Sequence, residues 1–426
     1  MIMRIRNNKL LKNLSWIFFG SVLHAILSFI LSVLAARYFA TSTYGVLSYA
    51  LSLTTLFSSF CTLGLNVIVT KEFADNEKEA GNTLASGISL RVGAGILAII
   101  CMILFLLTKG TDTFSFIIII IYSANILFSA FDLLMYWFRY DYKSNVAAVL
   151  KLIAFLCSAI LKGIAISLNN PILFAVGAVI ETLIYGFLLL NCYVRQKGND
   201  LKPSIQKSKK LFSTAKPFIL SSILVAVYSQ TDKLMLEAMS GYESVAYYSV
   251  SLTIANVIGV ALSSLVEAFR PEIMKARESN RERYYKLYRE LYGITFWMSV
   301  LYGAVITVFK KYILLLLYGN KYIAAGTALS FIVWYSSFSY FGAVHNIYMV
   351  AEEKVKWVQV LTLAGVISNI ILNYFMIPIL GAAGAAIASL LTQIIANFLI
   401  PLCIPQLREM VFLTIKGVLR PSLKVK

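Results

Sequence analysis

The chain is a succession of apolar stretches, each close to 20 residues long, separated by short polar connections. A helix rises about 1.5 Å per residue, so roughly 20 such residues cross the 30 Å hydrocarbon layer of a bilayer. Windows of that length place helices near 14–36, 45–69, 84–107, 115–138, 146–168 and 172–194. Six more fall near 216–238, 245–268, 291–309, 327–350, 358–377 and 384–405. The expected fold is an all-α integral membrane protein of about 12 transmembrane helices. Hydrophobic residues make up 59% of the 426 and charged residues 14%, against roughly a quarter charged in a soluble domain. There is too little polar material to cover a soluble core, which excludes soluble enzymes, secreted disulfide scaffolds and disordered regulators together. The first run exceeds the roughly 7–15 residues of a signal-peptide core, so it reads as a span.

The net charge is +18, with 38 Lys and Arg, and its location argues for topology over nucleic-acid binding. The N-terminus, the connections at 70–83, 139–145, 195–216, 270–290 and 352–356, and the C-terminal tail hold 29 of these basic residues. The alternate connections hold 5. Cytoplasmic loops collect Lys and Arg, so both termini are expected in the cytoplasm. The basic stretch 195–216 separates six helices from six. The expected organisation is an N-terminal lobe over 1–194, a linker over 195–216, a C-terminal lobe over 217–405 and a cytoplasmic tail over 406–426. The halves also share residues: Val46, Tyr49, Ser52, Leu53 and Thr54 match Val245, Tyr248, Ser251, Leu252 and Thr253 at one offset. Gly177, Ala178, Ile180 and Leu183 match Gly384, Ala385, Ile387 and Leu390 at another. Both halves start on one side, so the repeats would be parallel.

Four basic residues fall inside spans: Arg91, Lys151, Lys162 and Lys233. Such charges are costly in lipid and face a bundle interior or a water-filled cavity. Counting about 1.5 Å per residue from each helix centre puts Arg91 and Asp132 at one depth and Lys162 and Glu181 at another, so each pair is expected to meet. The pairs read as structural ion pairs, or as a cavity in which Arg91 and Lys162 attract an anion while Asp132 and Glu181 moderate their charge. Asp232 and Lys233 are neighbours and point in different directions, one to a cavity and one to a seam. His24, near the middle of the first span, reads as a proton relay or as a satisfied interior histidine. Arg37, Arg139 and Lys151 lie near helix ends, where snorkelling accounts for them; Arg37 is also a cavity candidate. Tyr284, Tyr285, Tyr288 and Tyr292 read as interface anchors. Helices nine, eleven and twelve carry no charged residue in these windows, so buried charge concentrates in the first lobe.

The chain contains no GxxxxGK[ST] loop, HExxH or nucleophile elbow, and its five cysteines sit in apolar runs without metal spacing. No cofactor, metal or enzymatic chemistry is expected. Soluble connections reach only about 22 residues, which leaves no room for a nucleotide domain, so transport is favoured.

Particular stretches resemble a family. They are Asn13 to Gly20, Ala35-Ala36-Arg37-Tyr38 with Tyr44-Gly45-Val46-Leu47, Leu63-Gly64-Leu65 and Thr70-Lys71-Glu72-Phe73-Ala74. Thr231-Asp232-Lys233-Leu234-Met235-Leu236 with Val245-Ala246-Tyr247-Tyr248-Ser249 follows, then Leu317-Tyr318-Gly319-Asn320-Lys321-Tyr322, and Ile377-Pro378 with Gly381-Ala382-Ala383-Gly384-Ala385-Ala386. In order and over nearly the whole chain they resemble bacterial polysaccharide repeat-unit (O-antigen type) flippases of the multidrug/oligosaccharidyl-lipid/polysaccharide exporter superfamily. The resemblance implies two six-helix lobes around a central cavity that opens to alternate sides of the inner membrane. The implied cargo is an oligosaccharide on undecaprenyl pyrophosphate, moved to the periplasmic leaflet. A polysaccharide polymerase and a chain-length regulator are candidate partners beside the lipid bilayer, and no nucleic acid is expected. The substrate-binding candidates are then Arg37, Arg91, Lys162, Asp132, Glu181, Asp232 and Lys233, with His24 as proton relay. The alternatives are a drug or cation antiporter of the same superfamily, which calls for an acidic cavity, and a polysaccharide polymerase, which calls for a long outer loop.

Overall fold

The computed structural model describes residue 20, residues 22–196 and residues 200–419; among them every regular element is a helix. The basic N-terminal stretch, the start of the first expected span and the last residues of the tail lie outside the described residues. The chain divides into two compact units, Met1–Ala226 and Val227–Lys426.

In the first unit, α1 (Val22–Tyr38) leads into α2 (Thr41–Thr62). The run expected as one helix over 45–69 is broken, because Leu63 and Gly64 both take left-handed backbone, with φ of 51° and 61°, and α3 (Leu65–Asp75) starts anew. Glycine takes that conformation freely and leucine at a cost. A methyl group at position 64 would also strike Phe218. Then come α4 (Ala80–Lys109), α5 (Thr113–Phe128), a 3₁₀ turn at Ser129–Asp132, α6 (Leu133–Tyr140), α7 (Ser144–Ser167) and α8 (Pro171–Arg195). Two starts are capped: Asp112 accepts the Ser115 N–H at 2.9 Å, and Asn170 accepts that of Leu173 at 3.0 Å just before Pro171.

The helix α9 (Ile205–Ala255) begins inside the stretch expected as a linker. Its Leu211 and Ala215 are buried in the first unit's core with Val69, Phe73, Leu133 and Tyr193. Lys207 donates to Glu72 at 2.7 Å and Glu79 at 2.9 Å. Burial works against the Lys207 ammonium, but these two hydrogen bonds outweigh it and its pKa lies above the usual lysine value.

In the second unit, Gly241 divides α9 with φ 76°, a conformation that needs glycine. There follow α10 (Gly259–Ser279), α11 (Arg281–Tyr318), α12 (Gly326–Ala351), α13 (Lys356–Leu380) and α14 (Ala382–Ile394). The last continues through one π turn, Ile395–Leu399, into α15 (Ile400–Cys403). Among the described residues nine helical stretches are long and apolar enough to cross a membrane. One of them, Ser222–Ser279, is divided at Gly241, and α1 and α12 add further apolar helices, in keeping with about 12 spans.

Lipid is as apolar as leucine, so helices in a bilayer associate through close packing of small residues and through polar contacts. The matched glycines of the two halves occupy such positions. A methyl at Gly177 on α8 would lie 2.9 Å from the Lys162 side chain of α7, and one at Gly384 on α14 would overlap the Met376 carbonyl of α13. The matched Tyr49 and Tyr248 are both buried.

Two stretches differ from their sequence reading. Tyr284, Tyr288 and Tyr292 are fully buried and do not anchor an interface: their four-residue spacing aligns them on one face of α11, where Tyr288 packs edge-on against Tyr284 and Tyr348 and lies over Tyr292. Part of the region expected as a tail forms α16 (Arg408–Leu419), with Met410, Val411, Leu413, Thr414 and Gly417 buried. Its Glu409 accepts hydrogen bonds from Tyr285 at 2.6 Å and Tyr348 at 2.8 Å. Burial raises the Glu409 pKa, but these bonds, with Arg281 and Lys354, outweigh it and hold the group below its usual 4.5. A depressed carboxylate pKa gives stability above the unfolded value that is lost as pH falls through the folded one. Docking of α16 is therefore expected to be intact above about pH 4.5 and to weaken below it. Glu409→Gln is expected to speed amide hydrogen exchange across 408–419 several-fold at pH 7; unchanged exchange would remove Glu409 as the clasp.

Candidate functional site

The second unit encloses a carboxylate. Asp232 on α9 is buried and accepts from neutral donors on both sides. Asn369 and Asn373 of α13 donate to Oδ1 at 3.0 and 2.7 Å. Ser389 of α14 donates to Oδ2 at 2.6 Å, and Tyr248, from α9 beyond the Gly241 division, donates to the same oxygen. A second polar chain lies nearby on α14 and the π turn: Asn397 donates to Gln393 at 2.7 Å, and Gln393 donates to the Tyr228 hydroxyl at 2.7 Å. Lys233, one residue on, points elsewhere, as adjacent helical residues must. It is half-buried and makes no hydrogen bond or ion pair among the described residues.

In the first unit, Arg91 on α4 is buried, and its placement follows from the break after α2. The turn at Leu63–Gly64 leaves the Thr62 carbonyl at a helix C-terminus, where positive charge is favoured. Arg91 donates to that carbonyl at 3.3 Å and to the Asn66 side chain. The expected direct pairing of Arg91 with Asp132 does not form: no ion pair joins them within 4 Å among the described residues. The Arg91 Nε and Asp132 Oδ1 atoms have no hydrogen-bond partner, though Arg91 and Lys151 are the charges that act on Asp132. Depth counted along an axis gives no information on direction around it, and Arg91 turns toward α2 and α3.

Lys162 and Glu181 do pair, at 3.1 Å across α7 and α8. The same Glu181 oxygen accepts from Ser158 at 3.3 Å. His24 Nε2 lies 3.4 Å from the other Glu181 oxygen, with its ring 4.4 Å from that of Phe155. His24 thus joins a Lys–Glu pair to an adjacent cavity of about 260 Å³, lined by Gly20, His24, Arg139, Ser144, Lys151 and Tyr185 among others. No carboxylate lines it among the described residues. Arg139 sits 5.3 Å over the Tyr136 ring.

Arg37 is exposed at the end of α1, apart from this cavity's lining. The structure thus brings together His24, Lys162 and Glu181, and sets Arg91, Arg37 and Lys233 in separate places. It adds Arg139 and Lys151, which their positions near helix ends had concealed, and Asn369, Asn373 and Ser389, whose signal is the four-residue spacing of two asparagines in an otherwise uncharged span. No group of three His, Cys, Asp or Glu side chains converges to hold a metal ion among the described residues.

The family described as "Polysaccharide biosynthesis protein" matches residues 10–277. The chain belongs to this family. A second family, MatE, matches residues 217–375. Among curated proteins, the "Capsular polysaccharide biosynthesis protein CapF" of Staphylococcus aureus is 22% identical over 397 residues, spanning 91% of this chain and 97% of its own length. Two solved structures share the fold. "Lipid II flippase MurJ, inward closed conformation" aligns with a TM-score of 0.74 at 15% identity, over 95% of this chain and 90% of its own. An inward-facing multidrug resistance MATE family transporter of the MOP superfamily aligns at 0.70 and 15%, over 91% and 96%. The protein is therefore a multi-pass, all-α membrane protein of polysaccharide biosynthesis with the fold of MOP-superfamily transporters, and the resemblance read from its sequence holds.

Proposed function

We propose that this protein carries undecaprenyl-pyrophosphate-linked oligosaccharide repeat units from the cytoplasmic to the periplasmic leaflet of a bacterial inner membrane by alternating access, both termini being cytoplasmic. The observation that carries this reading is the cavity lined by Arg139, Lys151 and His24 with no carboxylate among its described lining residues. A diphosphate and a sugar chain cross hydrocarbon only through a polar passage, and guanidinium and ammonium groups are the side chains that bind phosphate oxygens strongly. Arg91 and Lys162 extend the positive field of the first unit, and Asp132 and Glu181 moderate it between cycles. His24, in contact with both the cavity and Glu181, is the proton-exchanging group. Lys233 offers a further cation in the second unit, and Arg37 one at the outer helix end.

The kinship with a capsular polysaccharide biosynthesis protein favours a surface polysaccharide as the destination, capsule or O-antigen, with a polymerase and chain-length regulator acting after translocation. The protein performs no covalent chemistry in this reading. Deleting it is expected to lower surface polymer and to accumulate lipid-linked single repeat units, measured by mass spectrometry of extracted lipid. Altered drug susceptibility with unchanged glycan would favour the exporter alternative.

A further inference from the structure

The division between α2 and α3 is held by side chains against a cost in the backbone. Leu63 carries a left-handed φ of 51°, which leucine adopts only at a cost, and α3 starts with no side-chain cap on its first N–H groups. Contacts from two other helices offset this. Arg91 of α4 donates to the Thr62 carbonyl at 3.3 Å and to the Asn66 side chain, and Phe218 of α9 fills the space beside Gly64. The same groups have a second arrangement. In an unbroken helix the Asn66 N–H donates to the Thr62 carbonyl, four residues back, and that bond takes the place of the one from Arg91. A displaced Arg91 has a partner at hand, because its Nε and the Asp132 Oδ1 atom are both buried without a hydrogen-bond partner and the two charges act on one another. An arginine–carboxylate bond satisfies both atoms.

We infer that the α2–α3 division is a two-position joint: broken, with Arg91 on Thr62 and Asn66, and continuous, with the Asn66 N–H on Thr62 and Arg91 on Asp132. The joint is tied to α9, because Glu72 near the end of α3 accepts from Lys207 at 2.7 Å and Lys210 at 3.0 Å. Movement of α3 therefore pulls on α9, whose residues continue past the first unit's limit at Ala226. The Arg91 guanidinium keeps charged or carbonyl oxygen partners in both positions, so the exchange leaves no bare cation inside the bundle. The inference does not depend on which cargo the protein carries.

The test uses the full-length protein in nanodiscs with its native cysteines replaced by alanine. Spin labels are attached through Leu51→Cys and Ala74→Cys, exposed positions on either side of the joint, and their separation is measured by pulsed electron double resonance. A continuous helix sets the two backbones about 35 Å apart, and the broken one brings them closer. The starting protein is expected to show mainly the shorter separation. Asn66→Ala removes an acceptor that Arg91 uses only in the broken position. Gly64→Ala adds a methyl group that strikes Phe218 and opposes the left-handed φ of 61°. Each is expected to raise the population at the longer separation by about threefold or more, the scale of one hydrogen bond. Adding Asp132→Asn to Asn66→Ala removes the second partner of Arg91, and adding Leu63→Gly relieves the left-handed backbone; either is expected to restore the shorter separation. If Gly64→Ala does not accumulate, Asn66→Ala carries the test alone. One unchanged separation in Asn66→Ala overturns the joint. A longer separation that persists undiminished after Asp132→Asn is added overturns the exchange of Arg91 between its two partners.

Discussion

Replacing Asp232 with alanine is expected to lower the thermal unfolding midpoint of the purified protein by about 10 °C. The carboxylate accepts from Asn369, Asn373, Ser389 and Tyr248, and its loss strips these donors on α9, α13 and α14 of their shared acceptor, leaving only the Asn373–Asn369 bond at 3.0 Å and the Tyr248–Ser389 bond at 3.2 Å among them. An unpaired buried donor costs roughly 1–3 kcal/mol, and members of one network do not add independently, so a loss of about 3–5 kcal/mol is expected. For a unit of this size each kcal/mol shifts the midpoint by roughly 2–4 °C. Asp232→Asn keeps one acceptor and turns the other into a donor facing donors, so its midpoint should fall between. Combining Asp232→Ala with Asn369→Ala should cost less than the two losses taken separately, because the partners act on one another. A midpoint for Asp232→Ala within 1–2 °C of wild type would mean that the network contributes little.

Alanine at both Arg139 and Lys151 is expected to reduce surface polymer at least tenfold while protein abundance stays normal. Each contact to a charged oxygen contributes roughly 1.5–3 kcal/mol, a factor of about ten or more, and the two residues line one cavity. Lys151→Arg should be milder because the charge remains, although a planar fork does not replace a point charge at every geometry. Arg91→Ala should behave differently. Its guanidinium is fastened to the end of α2 and to Asn66, so its loss should reduce abundance and polymer in step. Quantitative immunoblotting beside a glycan assay separates the two outcomes. Full polymer in the Arg139/Lys151 double variant would remove the cavity from the transport path.

What could be read from the residues and what could not divide along physical lines. Long apolar runs set the spans, because a bilayer imposes length and apolarity together. The Lys162–Glu181 pair was legible from depth, because both charges had to find a partner in a span. The break at Leu63–Gly64 was not, since apolarity continues across it and only backbone conformation marks it. The docking of α16 leaves no mark in the sequence, because a 12-residue helix is too short to register as a span and its packed face resembles part of a tail. Arg139 and Lys151 have the sequence signature of snorkelling side chains, because depth alone does not separate a cation in lipid headgroups from one lining a cavity. The Asp232 cluster needed four residues from three helices. A hydropathy window averages along one helix, so it does not show that Asn, Ser and Tyr on three helices face one another.

The most direct test of the flippase reading is the leaflet in which the lipid-linked repeat unit resides. Spheroplasts of a deletion strain are treated with a glycan-modifying reagent that does not cross the membrane, and the modified fraction of extracted lipid-linked unit is measured. If this protein performs the translocation, the accumulated units stay unmodified until the membrane is permeabilised, and restoring the gene makes them accessible. Units modified in intact spheroplasts of the deletion strain would show that they cross without this protein, and would contradict its assignment as the flippase.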